Sequence, residues 1–282
     1  MKKQKILVLG GTGKTGRRVA EKLINLGENI RIGSRSEKIP FDWEDSSTWT
    51  DVLSGMDAVY INYQPDLAVP GALGAIKKFT TLAVQLGVQK MVLLSGKGEK
   101  EAERCEQVVM NFSAEWTIVR ASWFNQNFSE SFFLDPILAG HVALPKAEAL
   151  IPFIDVNDIA EVIVEALLDD QHNGKIYELT GPRQLTFEQA TTEISKATGR
   201  KINFSSISME EYVGMLKEHN VPEDFIWLIN YLFTEVLIPS NSVITNDVEK
   251  VLGRKPMDFS QFAIETAKTG VWNSEKLTLK PA

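Results

Sequence analysis

A doubly wound parallel α/β sheet with a smaller, helix-rich cap toward the carboxyl end is the fold the sequence predicts. Three observations carry that expectation. Short continuous apolar runs recur, of the kind buried on both faces in a parallel sheet. Segments with helical apolar spacing lie between them, joined by short connections. A glycine cluster links the first apolar run to the first helical segment.

The elements follow in order. Residues 6–9 form the first strand, and 15–26 a helix with Val19, Ala20, Leu23, Ile24 and Leu26 on one face. Gly27 closes that helix as its C-cap. Residues 30–32, 57–62, 90–95 and 116–120 read as further strands, with helices over 74–86 and 99–112. Beyond residue 120 the rhythm loosens. A helix over 158–168, capped by Asn157 or Asp158, precedes a strand at 175–179 that rejoins the sheet. A helix over 186–198 stops at Gly199, and from Ser208 amphipathic helices alternate with loops, including the aromatic-rich stretch 225–233. The expected division is a nucleotide-binding unit over 1–155 and a smaller substrate cap over 156–282.

Composition narrows the function. With 44% hydrophobic and 24% charged residues, disordered, collagenous and coiled-coil classes are excluded. Thirty Lys and Arg stand against 37 Asp and Glu, a net charge of -7, which repels a phosphate backbone and argues against direct nucleic-acid binding. One cysteine, Cys105, leaves no intramolecular disulfide, and three scattered histidines give no metal site. The basic start, Met1 to Lys5, leads into an apolar run too short for a signal peptide or a membrane span. A cytoplasmic protein without a membrane anchor is the expectation.

The informative motif is Gly10-Gly11-Thr12-Gly13-Lys14-Thr15-Gly16. A glycine triplet alone is weak, because ordinary tight turns also use glycine. Here a buried strand precedes it and a helix follows, the context a dinucleotide requires. The glycines permit a tight turn and close approach to a pyrophosphate, which the amides of the helix N-terminus then receive. Gly10, Gly13, Lys14, Thr15 and Gly16, with Thr12, are therefore the first cofactor candidates. An NAD site places an acid at the end of the second strand, about 20 residues on. This chain has Gly33-Ser34-Arg35-Ser36 there. The Arg35 fork suits a 2′-phosphate, with Ser34 as a supplementary donor, so NADP(H) is favoured over NAD(H). Lys14, Arg17 and Arg18 in the first helical turn agree, although long basic side chains also simply reach into water.

The glycine loop, the Arg35 position and the segment Trp116-Thr117-Ile118-Val119-Arg120-Ala121-Ser122-Trp123-Phe124-Asn125-Gln126-Asn127-Phe128 together resemble the NmrA-like family of atypical short-chain dehydrogenase/reductases. Further matches are 152–160, 179–182 and 247–256, so the resemblance spans nearly the whole chain. It implies one of two function classes. Some members are NAD(P)H-dependent reductases of quinones, azo dyes and triphenylmethane dyes, or ergot-alkaloid dehydrogenases that reduce an iminium carbon. Others are non-catalytic sensors that bind the cofactor and act through a protein partner.

The Tyr-x-x-x-Lys pair of ordinary short-chain dehydrogenases is absent: no tyrosine here has lysine four residues later. The lysine that isoflavone-reductase-like enzymes carry on the helix over 99–112 aligns with Ala102. Hydride transfer to a conjugated acceptor needs mainly proximity and orientation, so this absence leaves reduction open.

The resemblance implies further site residues, each with a plainer alternative. Asp42 sits where members bind adenine, or caps a turn. Asn62 and Tyr63 follow a strand at its carboxyl end, where ligands lie, and Tyr63 is either a substrate contact or a loop aromatic. Ser95, Gly96 and Lys97 are expected to approach the nicotinamide ribose, unless Lys97 is only a solvated lysine. Glu106 faces that ribose or pairs with a nearby base. Trp123, Phe124 and Asn127 are candidates for the substrate pocket, or core residues. Asp155 and Asp158 are read as a turn and a cap, and the lone Cys105 as inert. The expected substrate is small, flat and hydrophobic, held by aromatics of 225–233 with Trp123, Phe132 and Phe133.

Overall fold

The computed structural model describes residues 3–111 and 115–273. Met1 and Lys2 of the basic start, and the expected helix end at Phe112, lie outside the described residues. Among the described residues there are eight strands: β1 (Lys5–Leu9), β2 (Asn29–Gly33), β3 (Ala58–Ile61), β4 (Lys90–Gly96), β5 (Glu115–Ala121), β6 (His141–Leu144), β7 (Lys175–Leu179) and β8 (Asn203–Ser206). Six of them form one sheet in the order β2-β1-β3-β4-β5-β7, and every neighbouring pair is parallel.

The apolar runs explain this sheet. All four residues of β3 are wholly buried, as are Ile6 to Leu9 of β1. Each large aliphatic side chain so buried contributes about 1.5–3 kcal/mol. The strand at Lys175–Leu179 rejoins the sheet by pairing with β5, from Thr117↔Lys175 to Ala121↔Leu179. The first helix spans Lys14–Asn25 and ends against Gly27, whose φ of 72° is the left-handed conformation that glycine adopts freely.

The chain forms two interleaved units. The first takes the chain up to Ala121, then Val156–Leu179 and Asp247–Arg254. The second takes Ser122–Asp155, Thr180–Asn246 and the chain from Lys255. The expected boundary after residue 155 coincides with one crossing, but Val156–Leu179 returns to the sheet unit. The reason is packing: the helix Val156–Leu168 lies against the helix Lys14–Asn25, joined by Lys22–Glu161 at 2.8 Å and Arg18–Asn157 at 3.1 Å. That helix begins before its expected cap, and Asp158 in its first turn pairs with Arg254 at 2.7 Å.

The second unit has its own core, in which Phe128, Phe133, Phe153, Phe187, Phe233 and Trp272 are almost wholly buried. It also holds a two-stranded parallel pair, β6 with β8, that no pattern in the sequence marks. The helix Phe187–Thr198 carries a capping box between Thr186 and Gln189 and ends at Gly199, whose φ is 66°. No helix among the described residues is long and apolar enough to cross a membrane.

Candidate functional site

The sheet order reverses between β2 and β3, which lie on opposite sides of β1. The carboxyl ends of β1 and β3 therefore flank the crevice where ligands of doubly wound sheets bind. Gly10 ends β1 with a φ of 62°. A Cβ there would come within 2.9 Å of Asn62 Nδ2 at the end of β3. The loop then turns tightly: the Gly13 amide donates to Gly10 O at 2.8 Å, and the Arg17 amide to Gly13 O at 3.1 Å. Gly16 packs directly on the loop, since a Cβ there would lie 2.1 Å from Gly10 O. Thr12 is exposed at the tip.

Lys14 opens the helix, with Gly13 at its N-cap. No side chain caps this N-terminus, and no acid lies in its first turn. Its leading amides and positive partial charge suit an anion. The Thr15 hydroxyl accepts from Tyr60 at 3.1 Å and from Asn62 Nδ2 at 3.3 Å, tying the helix start to β3. Burial pushes the Tyr60 phenol well above its usual range, so it stays a donor.

At the end of β2, the Ser34 and Ser36 hydroxyls lie 2.9 Å apart, and Ser34 Oγ accepts the Ser36 amide at 3.2 Å. Arg35 stands exposed between them. Asp42 holds a local turn: its carboxylate accepts the Glu44 amide at 3.0 Å, and its carbonyl accepts the Trp49 indole at 2.7 Å. Next to it, the Trp43 indole donates to Asn62 O at 3.0 Å. Tyr63 packs on Trp43 with ring centroids 4.8 Å apart, and burial raises its phenol pKa.

The ends of β4 and β5 hold a charged network. Glu106 is wholly buried and takes both Arg120 Nε, at 2.9 Å, and Arg120 Nη2, at 2.6 Å. The Ser95 hydroxyl donates to the same carboxylate at 2.6 Å. Hydrogen bonding to Glu106 holds the Arg120 pKa above its ordinary value. Lys97 is buried: its Nζ lies 3.5 Å from Glu178, which also meets Arg120 at 3.3 Å. That burial sets aside the plainer alternative of a solvated lysine. Gly96 lies beneath the Glu99 carboxyl, with no room for a Cβ.

In the second unit, Trp123 stacks on Phe133 at 9° and meets Phe187 and Phe233 edge-on. Asn127 is buried, and Phe124 is half-buried and bridges to Ile154. Phe133 and Phe233 are core residues at 1% exposure, whereas Phe225 and Trp227 remain exposed. The aromatic segment is thus divided between core and surface. Asp155 is wholly buried and accepts from Gln126 at 2.8 Å. No group of His, Cys, Asp and Glu that could hold a metal occurs among the described residues.

The glycine cradle, the uncapped helix start and the acid-free end of β2 fit a nicotinamide dinucleotide. A Cβ at Gly16 would fill the cradle, and Arg35 is open to a phosphate. Asp66 and Glu99, two carboxyls after β3 and β4 whose pKa values are raised by burial, carry no signal in the sequence. They are distant in sequence and match no motif.

The chain is 31% identical to the uncharacterized oxidoreductase YesF of Bacillus subtilis, covering 97% of this chain and 98% of that one. It is 30% identical to festuclavine dehydrogenase easG of Aspergillus fumigatus, over 92% and 96% of the two chains. Two solved structures share the fold. Triphenylmethane reductase of Citrobacter has a TM-score of 0.73 at 17% identity, covering 94% of this chain and 99% of that one. The NADPH-dependent quinone oxidoreductase QOR2 of Escherichia coli, complexed with NADPH, has a TM-score of 0.74 at 18% identity, over 92% and 99%. The NmrA-like family profile matches residues 2–263. This chain belongs to the NmrA-like family.

Proposed function

We propose that the protein is an NADPH-dependent reductase of small conjugated acceptors, namely quinones, dyes or iminium compounds. The observation that carries this reading is the Gly10–Gly16 cradle at the β1/β3 crevice, with its uncapped helix start. When bound, NADPH supplies a hydride from its nicotinamide ring. The chain's own residues do the rest. The amides from Gly13 onward, with Lys14 and Thr15, hold the pyrophosphate. Arg35 and Ser34 hold the 2′-phosphate and so favour NADP(H) over NAD(H). Asn62, Ser95, Gly96 and Lys97 border the path to the nicotinamide, while Glu106 orients Ser95. Asp42 lies beside the adenine. Relatives named as an oxidoreductase and as dehydrogenases support this reading, as do dye and quinone reductases of the same fold.

Catalysis proceeds without a Tyr-Lys pair. Tyr63 is the acceptor contact of the first unit. A second reading, a cofactor-binding sensor acting through a protein partner, draws on a structure of the same fold. The negative transcriptional regulator NmrA, complexed with NAD, matches at a TM-score of 0.73 and 16% identity. Steady-state oxidation of NADPH with quinones, azo dyes and cationic dyes decides between them. Turnover with at least one class is expected; saturable cofactor binding with no turnover would support the sensor.

A further inference from the structure

Two carboxyl groups of the first unit lie outside the residues used so far. Glu99 follows β4 and is 7% exposed. Asp66 lies in the loop after β3, and β3 and β4 are adjacent and parallel. The Glu99 carboxyl sits over Gly96, where a Cβ would come within 1.8 Å of Oε1. Asp66 is the carboxyl neighbour of Glu99, and its Oδ1 accepts the Ala68 amide at 2.8 Å.

Two neighbouring carboxyl groups buried away from water do not both ionise, so one carries a proton. Burial first, then the neighbouring carboxylates of Asp66, Glu101 and Glu106, hold that proton on Glu99 well above the usual carboxylate range. The Cys105 thiol nearby is itself raised by burial, Glu106 and Asp66. The adjacent cation, Lys97, pairs with Glu178 at 3.5 Å. One oxygen is left over. Glu99 Oε2 is buried and has no hydrogen-bond partner among the described residues, a condition native proteins rarely keep without a use. It lies at the carboxyl ends of the strands, beside Ser95 and Gly96.

We propose that Glu99 is the proton donor to neutral acceptors, and that Asp66 is the positioning residue that holds its proton in place. This rests on the reductase reading above. A neutral quinone that takes up one hydride, and with it two electrons, becomes a hydroquinone monoanion. One proton completes the product. Rotation of the Glu99 side chain out of its buried position brings the protonated oxygen to the product. There the carboxyl O–H bond breaks and an O–H bond forms on the product oxygen. Water then returns a proton to the pair through Asp66, the more exposed of the two. A cationic dye or an iminium carbon needs no such proton, because the hydride alone neutralises it.

The test uses the full chain and the variants Glu99→Gln and Asp66→Asn. Infrared spectra of the cofactor-free protein should show a protonated-carboxyl band that persists above the usual carboxylate range and is missing in E99Q. NADPH-dependent turnover of a neutral benzoquinone and of a cationic triarylmethane dye is then compared. E99Q should lower the quinone-to-dye turnover ratio about a hundredfold, the scale of general acid catalysis. In the wild type, quinone kcat should fall as pH rises through the pair's raised pKa. D66N removes a negative neighbour, so that fall should move to lower pH. An unchanged ratio in E99Q, or a wild type without the band, overturns the proposal while leaving the reductase reading intact. A wild type that turns over neither acceptor overturns both, and the infrared band then shows separately whether the pair holds a proton. Should E99Q fail to bind NADPH, the pH shift in D66N decides, and its absence counts against the proposal.

Discussion

The guanidinium of Arg120 holds both carboxylate oxygens of the wholly buried Glu106, through contacts of 2.6, 2.9 and 3.1 Å. Removing one member of a buried ion pair strands the other charge, at a cost of about 3–5 kcal/mol. Arg120 keeps its contact with Glu178 at 3.3 Å, so Glu106→Ala should lower unfolding stability by less than that in urea titration. The double variant with Arg120→Leu should recover part of the loss. Equal stability of E106A and wild type would show the pair to be solvent-screened.

Gly16 has no room for a methyl group, with Gly10 O at 2.1 Å from its Cβ position. Gly16→Ala should push the helix off the loop and weaken NADPH binding at least tenfold, about 1.4 kcal/mol, by titration calorimetry. Unchanged affinity would place the cofactor elsewhere.

Arg35 is the residue on which the 2′-phosphate assignment rests. Arg35→Ala should weaken NADPH by about 1.5–3 kcal/mol, the worth of a charged hydrogen bond, and leave NADH nearly unchanged. Equal weakening of both cofactors would contradict the assignment.

Burial, with Glu106 and Asp66 nearby, pushes the Cys105 thiol up to about 11. A thiolate is the reactive form, so alkylation by iodoacetamide should be negligible at neutral pH and rise as pH approaches that value. Denaturant should make labelling complete at neutral pH. Rapid labelling of the native protein would contradict the burial.

Much of this architecture is legible in the sequence, for identifiable reasons. Continuous apolar runs such as Ile6 to Leu9 mark strands covered on both faces, and the glycine loop marks the β1/β3 crevice. The capping box at Thr186 and the C-cap at Gly199 are local signals, and the helix between them follows from them. What stays hidden depends on long-range packing. The β8 strand, Asn203–Ser206, is polar and short, so nothing local marks it. The return of Val156–Leu179 to the first unit depends on its packing against the helix Lys14–Asn25. Lys97 reads as a loop lysine, yet Glu178, remote in sequence, draws it into a buried pair. Asp66 and Glu99 become neighbours only because β3 and β4 lie side by side.

Hydride transfer from a bound nicotinamide to a conjugated acceptor is the chemistry proposed for this chain. The most direct measurement is a single turnover of a cationic triarylmethane dye with NADPH deuterated at C4 on each face in turn. Mass spectrometry should find the deuterium on the former cationic carbon for one face only. Unlabelled product from both faces, or saturated cofactor with no reduced dye, would contradict the account.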